Sequence, residues 1–327
     1  FADFVDRLQA AGVTVFDPAP HAGGDYLRTD THWTPVAVDR VAAALAEVVR
    51  RLADPAGAAV SFERVARPLA GRGDLVAMLG AGAPATFAGG EQVTAHEVMQ
   101  GAALWRPDPG ASVLLLGDSF SNIFAQDGLG WGRGAGLAEQ LSYHLRQPVD
   151  RIVRNDAGAH ATRAMLAREL QRGRDRLAGK RVVVWQFANR ELAQGDWKMI
   201  PLEVRPAVAS RFLVPEPGAA LDVLGTVAEI SAVPAPGRVP YADHIVAVHL
   251  VDVRTGQAAD LGEAYVFLWS MTNHTPTAAG RWRAGDEVHV RLRRWSEVAG
   301  QLESINRSEL DREDVLLAEP AWGEPIP

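Results

Sequence analysis

The stretch YLRTDTHWTP, residues 26–35, places an aspartate, a histidine and a tryptophan within four positions. A second stretch, VLLLGDSFSN at 113–122, offers a serine directly after an apolar run. A serine hydroxyl becomes an effective nucleophile when a base removes its proton, and a carboxylate that orients the base completes the arrangement. The residue types therefore fit acyl transfer, with Ser119 as nucleophile, His32 as base and Asp30 as the orienting carboxylate.

Both stretches also have an ordinary structural interpretation. Ser119 stands where an apolar strand passes into a helix, and serine is a common helix N-cap at such junctions. Asp30 suits the cap of a turn, with His32 packed beside Trp33. Because triads are recognised by geometry rather than by spacing, each stretch taken alone leaves both interpretations open.

Alternative chemistry at these residues has weaker support. Among nine histidines, His160 in NDAGAHAT is the reserve candidate for the base, because it follows a predicted strand end. Asp30 and His32 would suit a metal, but no HExxH or similar spacing completes a ligand set, so we expect no metal. The chain has no cysteine, which excludes disulfides, thiolate metal ligands and cysteine nucleophiles.

Three short apolar runs without alternation predict strands that are buried on both faces of a parallel sheet. These runs are SVLLLG (112–117), RIVRND (151–156) and RVVVWQF (181–187). A helix predicted at about 161–178 separates the last two, which indicates an α/β layered fold with right-handed crossovers. Ligands of such sheets bind beyond the carboxyl ends of the strands. The polar residues at those ends are Asp118-Ser119, Asn155-Asp156 and Asn189-Arg190.

The elements around the DTHW block are predicted with different clarity. Thr34 suits an N-cap and Pro35 the first position of a helix. Its apolar stripe is Val38, Val41, Leu45, Val48 and Leu52. Upstream, residues 13–18 (VTVFDP) predict a short strand, and downstream, the Gly-, Ala- and Pro-rich residues 55–110 predict irregular structure with one or two short elements.

The chain changes character after residue 200, where several prolines indicate a linker. Four alternating runs follow, LDVLGTVAEIS, HIVAVHLVDV, AYVFLWSMT and DEVHVRLRRW, separated by Gly and Pro turns. This pattern predicts a small antiparallel barrel or sandwich. We therefore predict two domains, an α/β domain at 1–205 and a β-rich domain at 215–327 that binds glycan or packs on the first.

Composition narrows the classes of partner. The chain has 327 residues, a formal net charge of −7, 47% hydrophobic and 22% charged residues, which is typical of a globular protein. An acidic chain does not attract nucleic acid generically, so we expect no nucleic-acid partner. No apolar run approaches the roughly 20 residues that span a bilayer. Since the chain begins at Phe1 rather than Met, we expect that it lacks its targeting segment.

Together and in this order, DTHW and GDSFS resemble the SGNH-hydrolase-like domain of the AlgX/AlgJ-type alginate O-acetyltransferases. That family resembles SGNH esterases with a permuted motif order, in which the Asp/His block precedes the serine block. Residues 26–35 and 117–121 match its two signatures, and VVVWQFANREL (182–192) looks like its strand ending in a Trp and an Arg. The resemblance covers about residues 1–200 and implies an SGNH-like layered sheet, with the family's preceding N-terminal strand absent here.

The resemblance also implies roles for individual residues. Ser119 would be the nucleophile, His32 its base and Asp30 the orienting carboxylate, and no cofactor is expected. The remaining expected site residues would hold the oxyanion or the substrate; they are the backbone N–H of Ser119, Gly158, Asn189, Arg190 and Trp33. Sugar-stacking platforms could come from Trp33, Trp105, Trp131, Trp185 and Trp197, although core packing is the commoner role of a tryptophan.

Three functions follow as expectations from this resemblance. The first is an O-acetyltransferase that moves an acetyl group to hydroxyls of an exopolysaccharide through an acetyl-serine, in the periplasm or elsewhere outside the cytoplasm. Its partners would be the polysaccharide acceptor and a membrane-bound acyltransferase that delivers the acetyl group. The second is a carbohydrate acetyl esterase, with water as acceptor. The third is a non-catalytic glycan-binding scaffold of an exopolysaccharide assembly. The residues do not specify the glycan or the acetyl donor.

Overall fold

The computed structural model describes residues 2–53, 59–79, 82, 85–87, 89–155, 158–195, 197–206, 211–239, 241–256, 261–303, 305–310, 312–316 and 318–326. The helices are α1 Ala2–Ala10, α2 Ala19–Ala22, α3 Pro35–Leu52, α4 Asp74–Leu79, α5 Ser119–Asn122, α6 Leu137–Leu145, α7 His160–Gln171, α8 Glu191–Gln194, α9 Trp295–Leu302 and α10 Glu313–Leu316. The strands are β1 Glu63–Gly71, β2 Glu91–Gln100, β3 Ala103–Leu104, β4 Val113–Gly117, β5 Asp150–Val153, β6 Val182–Trp185, β7 Leu221–Ile230, β8 His244–Arg254, β9 Ala264–Thr272, β10 Thr275–Pro276, β11 Glu287–Arg294, β12 Arg307–Ser308 and β13 Ala321–Pro325. Among these described helices, none has the length and hydrophobicity that a bilayer crossing requires.

A parallel sheet with β4 at its centre organises the first part of the chain. Its strand order is β5-β4-β6, and both pairings are parallel. Val113 and Leu115 of β4 join the core formed with α3 and α6, whereas Leu114 and Leu116 join the core formed with α7. Because alternate residues point to opposite faces, an uninterrupted apolar run is what a strand covered on both faces needs. The α/β layered fold is confirmed.

Helix α3 begins where the sequence predicts. The Thr34 hydroxyl accepts a hydrogen bond from the Ala37 N–H at 3.2 Å, and Pro35 takes the first helical position. The apolar stripe is buried through Leu45, and then Val49 rather than Val48 enters the core. This four-residue step follows the 3.6-residue repeat and leaves the end of the predicted stripe, Leu52, exposed.

Three element predictions are wrong. Residues 13–18, all described, form no strand. Residues 55–110 contain a long antiparallel hairpin, in which β1 pairs with β2 from Glu63↔Met99 to Gly71↔Glu91. Its strands carry Ala, Gly, Pro and charged residues with low β propensity, which hid them.

Helix α7 ends earlier than predicted, ahead of Gly173, whose φ of +78° is left-handed and terminates helices readily. Residues 55–58 and Asp156, which fall in predicted segments, lie outside the described residues.

The C-terminal part forms a closed barrel. Strands follow the order β9-β13-β11-β7-β8, and β8 pairs again with β9, which closes the sheet. The β13–β9 pairing is parallel and the other four are antiparallel. Alternating apolar residues of these strands fill the interior, as the alternation predicted. The β-rich character and barrel architecture are confirmed, and the domain boundaries at 205 and 215 stay a prediction.

Helix α7 contacts the barrel part through an arginine cluster around one carboxylate. Glu309 accepts hydrogen bonds from Arg307 at 2.8 Å, from Arg154 at 3.3 Å and from Arg168. Burial alone would raise the pKa of Glu309, but the three guanidinium charges outweigh it and hold the pKa far below its ordinary value. The surrounding arginines therefore favour the ionised form of the Glu309 carboxylate.

We expect Glu309→Gln to lower the free energy of unfolding by about 3–5 kcal/mol at neutral pH, because the arginines lose their shared counter-charge. A group with a depressed folded pKa contributes stability above its unfolded pKa and loses it as the pH falls through the folded value. The difference between wild type and variant should therefore shrink as the pH drops below the ordinary glutamate value of 4.5. Urea unfolding across that range measures this difference.

The matched control for this substitution is Glu324→Gln. Glu324 pairs with Arg293 at 2.5 Å on the barrel surface, where both side chains are well exposed. Surface pairs typically contribute below about 1 kcal/mol, so this control should unfold almost as wild type does. An equal loss in the two variants, or a Glu309→Gln loss that does not change with pH, would contradict the expectation.

Candidate active site

Asp30 and His32 lie on a tight loop between α2 and α3. The Leu27 N–H donates to the His32 carbonyl oxygen at 2.9 Å, and Tyr26 forms an isolated bridge with Trp33. These bonds close the loop just before the Thr34 cap of α3. Ser119 lies at the carboxyl end of β4, as the first residue of α5. The two sequence blocks therefore meet at the carboxyl edge of the parallel sheet.

The three side chains form a continuous hydrogen-bonded chain. His32 Nδ1 lies 2.5 Å from Asp30 Oδ1, and His32 Nε2 lies 2.8 Å from Ser119 Oγ. All three residues are buried, with exposed fractions of 3% for Asp30, 8% for His32 and 7% for Ser119. A carboxylate only accepts, so Nδ1 donates to Asp30, and in a neutral imidazole Nε2 is then the nitrogen that accepts from the Ser119 hydroxyl. This is the geometry that a base and a nucleophile require.

The Asp30 carboxylate is fully engaged. Oδ1 also accepts the His32 N–H at 3.1 Å, while Oδ2 accepts Trp131 Nε1–H at 2.8 Å and the Asp74 N–H at 3.2 Å. Burial favours the neutral acid, but the hydrogen bonds and charge from His32, with the Trp131 bond, hold the pKa of Asp30 below its ordinary value. Asp30 therefore stays an anion that can stabilise a protonated His32.

The sequence did not predict which residues hold the DTHW loop in place. Asp74 accepts from the Thr31 N–H at 2.8 Å and from the Thr31 hydroxyl at 2.6 Å. Gly73 lies so close to this loop that a Cβ there would meet the Thr29 carbonyl oxygen at 2.2 Å. Only glycine permits that approach, and the Gly73-Asp74 pair carries no local pattern that announces it.

Hydrogen bonds in both directions between Asp118 and Gln186 hold the turn that carries Ser119. The sequence did not predict this arrangement either. The Asp118 N–H and the Ser121 hydroxyl both donate to Gln186 Oε1, at 3.0 and 2.6 Å, while Gln186 Nε2 donates to Asp118 Oδ1 at 2.8 Å. The Asp118 carboxylate also caps α5 by accepting the Phe120 N–H at 2.9 Å. The helix cap is thus Asp118, which leaves Ser119 for another role. Burial raises the pKa of Asp118 against these bonds.

The residues that were predicted to hold the oxyanion differ in where they lie relative to the Asp30–His32–Ser119 chain. The Ser119 N–H has no acceptor among the described residues, so it is available to an oxyanion. Gly158, with a left-handed φ of +72°, faces Glu191, whose Oε2 a Cβ would meet at 2.6 Å. Asn189 and Arg190 are exposed, and in the described part of the chain neither side chain bonds the Asp30–His32–Ser119 chain. Their assignment to the oxyanion stays a prediction.

Trp33 lies behind the site as a packing residue. Only 6% of it is exposed, and its ring meets Phe120 edge-on with the centroids 5.1 Å apart. Phe120 also contacts the His32 ring at 4.8 Å. Phe120 thus packs against both the His32 imidazole and the Trp33 indole. A role of Trp33 in substrate binding stays a prediction.

The first part of the chain matches a known protein family. Residues 1–189 match the family model described as the SGNH hydrolase-like domain, acetyltransferase AlgX. That match spans more than half of the chain. The chain belongs to this AlgX family. In this chain the block that contains Asp30 and His32 precedes the block that contains Ser119. This is the permuted motif order that the resemblance implies.

Two solved structures are similar to this AlgX-family chain. The O-acetyltransferase domain of Pseudomonas putida AlgJ is 25% identical with a TM-score of 0.44, over 58% of this chain and 64% of that one. Pseudomonas aeruginosa AlgX is 15% identical with a TM-score of 0.42, over 89% of this chain and 71% of that one. The chain thus spans less than two thirds of the AlgJ structure. No curated protein matches the chain.

The same AlgX-family site includes a set of potential metal ligands. One ligand atom each from Asp30, His32 and Asp74 lies within 4.8 Å of the others. Both carboxylates already accept N–H or O–H donors, and the two His32 nitrogens face Asp30 and Ser119. The donors around these atoms suit a proton relay better than a cation, which would need the same lone pairs.

The five tryptophans predicted as sugar platforms divide between core and surface. Trp33, Trp105 and Trp131 are buried, so none of the three presents an exposed ring face. Trp197 is 39% exposed and packs on Trp185 with the ring centroids 5.7 Å apart. Trp185 ends β6, at the same sheet edge as the nucleophile. Of the five candidates for a sugar platform, this pair alone has a partly exposed member.

Proposed function

We propose that this protein is a polysaccharide O-acetyltransferase that works through an acetyl-serine on Ser119. The observation that supports the proposal is the buried chain from Asp30 through His32 to Ser119, with distances of 2.5 and 2.8 Å. Membership of an acetyltransferase family supports the acyl group as acetyl. The acceptor is a polysaccharide hydroxyl, the compartment is outside the cytoplasm, and a membrane-bound acyltransferase delivers the acetyl group.

The first half-reaction loads the serine. His32 Nε2 takes the proton of Ser119 Oγ as Oγ attacks the acetyl carbonyl carbon of the donor, and Asp30 stabilises the imidazolium that forms. The carbonyl oxygen becomes an oxyanion that accepts the Ser119 N–H, with Gly158 and Asn189 or Arg190 as the further donors. The intermediate collapses, the bond to the donor's leaving group breaks, and that group leaves with the proton from His32.

The second half-reaction reverses these roles. A sugar hydroxyl gives its proton to His32 Nε2 and attacks the acetyl carbon, forming a second oxyanion in the same place. Collapse breaks the bond to Ser119 Oγ, which recovers the proton from His32. The acetyl group leaves as a sugar ester. Water in place of the sugar releases acetate by the same steps, so exclusion of water from the loaded serine decides between transfer and hydrolysis.

The test follows the acetyl group through both steps. The full chain is incubated with p-nitrophenyl acetate, and intact-mass and peptide mass spectrometry locate any acetyl group on the protein. Oligosaccharide acceptors are then added, and O-acetylated sugar is measured against free acetate. We expect acetylation of the peptide that contains Ser119 and transfer to sugar in excess of hydrolysis. Acetate alone would favour an esterase, and an unmodified protein would favour the glycan-binding scaffold.

A further inference from the structure

The barrel part reaches the nucleophile helix through a buried asparagine. Asn306 precedes β12 and is 4% exposed, and its carbonyl oxygen accepts the Ile245 N–H of β8 at 2.9 Å. The next residue, Arg307, is also buried, and one of its guanidinium nitrogens donates to the Glu303 carbonyl oxygen at 2.9 Å. The backbone at Asn306 is therefore held firmly by the barrel part.

Three asparagine side chains connect this point to α5. Asn155 Nδ2 donates to Asn306 Oδ1 at 2.9 Å, and Asn122 Nδ2 donates to Asn155 Oδ1 at 2.8 Å. Asn122 is fully buried and is the last residue of the short helix that Ser119 begins. These two hydrogen bonds connect Asn306 to Asn122, so we expect a shift of the Asn306 side chain to displace the end of that helix.

A second contact reaches the segment that follows α5. The Ala242 N–H, just before β8, donates to the Gly128 carbonyl oxygen at 3.2 Å. Gly128 lies in the 3-10 helix Asp127–Leu129, which continues the chain from α5 toward Trp131. The barrel part is thus linked to the helix of the nucleophile through Asn155, and it bonds directly to the segment that leads to Trp131, the hydrogen-bond donor to Asp30.

We propose that Asn306 is a positioning residue for Ser119, so that the barrel part completes the rigid frame of the catalytic serine. This inference rests on the proposed function. A single turn such as α5 is too short to be stable by itself and takes its rigidity from tertiary contacts. Nucleophilic attack is sensitive to misplacement of the reacting atom, and a side chain that anchors α5 therefore affects the rate without touching substrate.

The interface between α7 and the barrel part does not depend on Asn306. Arg154 and Arg168 pair with Glu309, Arg172 donates to the Ala318 carbonyl oxygen, and Arg174 pairs with Glu319 at 3.0 Å. These ion pairs and the hydrogen bond to Ala318 do not involve Asn306, so they keep α7 and its neighbouring residues on the barrel part when the Asn306 amide is removed. Loss of the amide is therefore expected to loosen α5 while the two parts stay associated.

The experiment compares three variants of the full chain. Asn306→Ala removes the acceptor of the Asn155 bond, Asn306→Asp retains an acceptor oxygen there, and Glu319→Gln removes one interface ion pair that has no link to α5. The measurement is the rate of serine acetylation by p-nitrophenyl acetate against its concentration, with thermal unfolding of each variant. Wild-type acetylation must be observed first, because its absence would overturn the proposed function as well.

We expect Asn306→Ala to lower the maximal acetylation rate by about tenfold with the half-saturating concentration unchanged, and Asn306→Asp to restore most of it. Glu319→Gln should change only the unfolding temperature. A second arm combines Asn306→Ala with Asn155→Ala, whose effects should be non-additive if the residues act as one chain. Rates that merely follow the unfolding temperature across the variants, or additive effects of the pair, would overturn the proposal.

Discussion

Replacing Ser119 with alanine is expected to abolish acetyl transfer and ester hydrolysis together, lowering kcat by about 10⁶-fold. The Ser119 hydroxyl is the group that faces His32 Nε2, at 2.8 Å, and alanine leaves the base with nothing to deprotonate. The fold should be retained, because the cap of α5 is Asp118 and its bonds do not involve the Ser119 side chain. Product formation with p-nitrophenyl acetate and sugar measures the loss.

The matched control is Ser121→Ala, two residues further along. The Ser121 hydroxyl donates to Gln186 Oε1 at 2.6 Å and belongs to the frame of the turn rather than to the proton relay. Losing one hydrogen bond of this kind should cost no more than about tenfold in rate. A fluorophosphonate serine probe should label wild type and Ser121→Ala but not Ser119→Ala. Labelling of Ser119→Ala at the wild-type rate would refute the assignment of the nucleophile.

Replacing Asp30 with asparagine is expected to lower kcat by about 10⁴-fold while the protein remains folded. Each carboxylate oxygen of Asp30 accepts two N–H groups, from His32 on one side and from Trp131 and Asp74 on the other. An amide offers one acceptor oxygen and one NH₂ group, so one side must lose its acceptor.

The way in which Asp30→Asn lowers kcat therefore depends on the orientation of the asparagine amide. With its NH₂ toward His32, the imidazole must accept at Nδ1 and carry its proton on Nε2, which then cannot take the Ser119 proton. With its NH₂ toward Trp131, a buried indole N–H loses its acceptor, and the variant lacks the charge that stabilises a protonated His32. Both outcomes impair the base, and steady-state kinetics with thermal unfolding measure them.

The control for this variant is Asp25→Asn on the same loop. Asp25 pairs with Arg40 at 2.6 Å, and both side chains are substantially exposed. It has no bond to His32 or Ser119, so its rate should stay close to wild type. A comparable loss of rate in Asp25→Asn would mean that the loop tolerates no change, and full activity in Asp30→Asn would remove Asp30 from the mechanism.

Much of the fold is readable from the order of side chains alone. A strand buried on both faces must be apolar at every position, as VLLLG is, whereas a barrel strand must alternate, as LDVLGTVAEI does. These patterns are local, so they predicted the parallel sheet and the barrel strands. The β1–β2 hairpin was missed because neither ERVARPLAG nor EQVTAHEVMQ has a continuous apolar run or a strict alternation, although the two strands pair along their length.

The same distinction between local patterns and tertiary contacts applies to the candidate active site. The residue types of Asp30, His32 and Ser119 are suited to acyl transfer in any protein, and their order along the chain matches one family, so both could be recognised before the fold was known. Their contact joins residues 87 positions apart, and the supporting bonds from Trp131 to Asp30 and from Gln186 to Asp118 span 101 and 68 positions. Such bonds depend on how packed elements align in space, which no local pattern encodes. The indole, amide and glycine that hold the reacting groups in place could therefore be identified only from the folded chain.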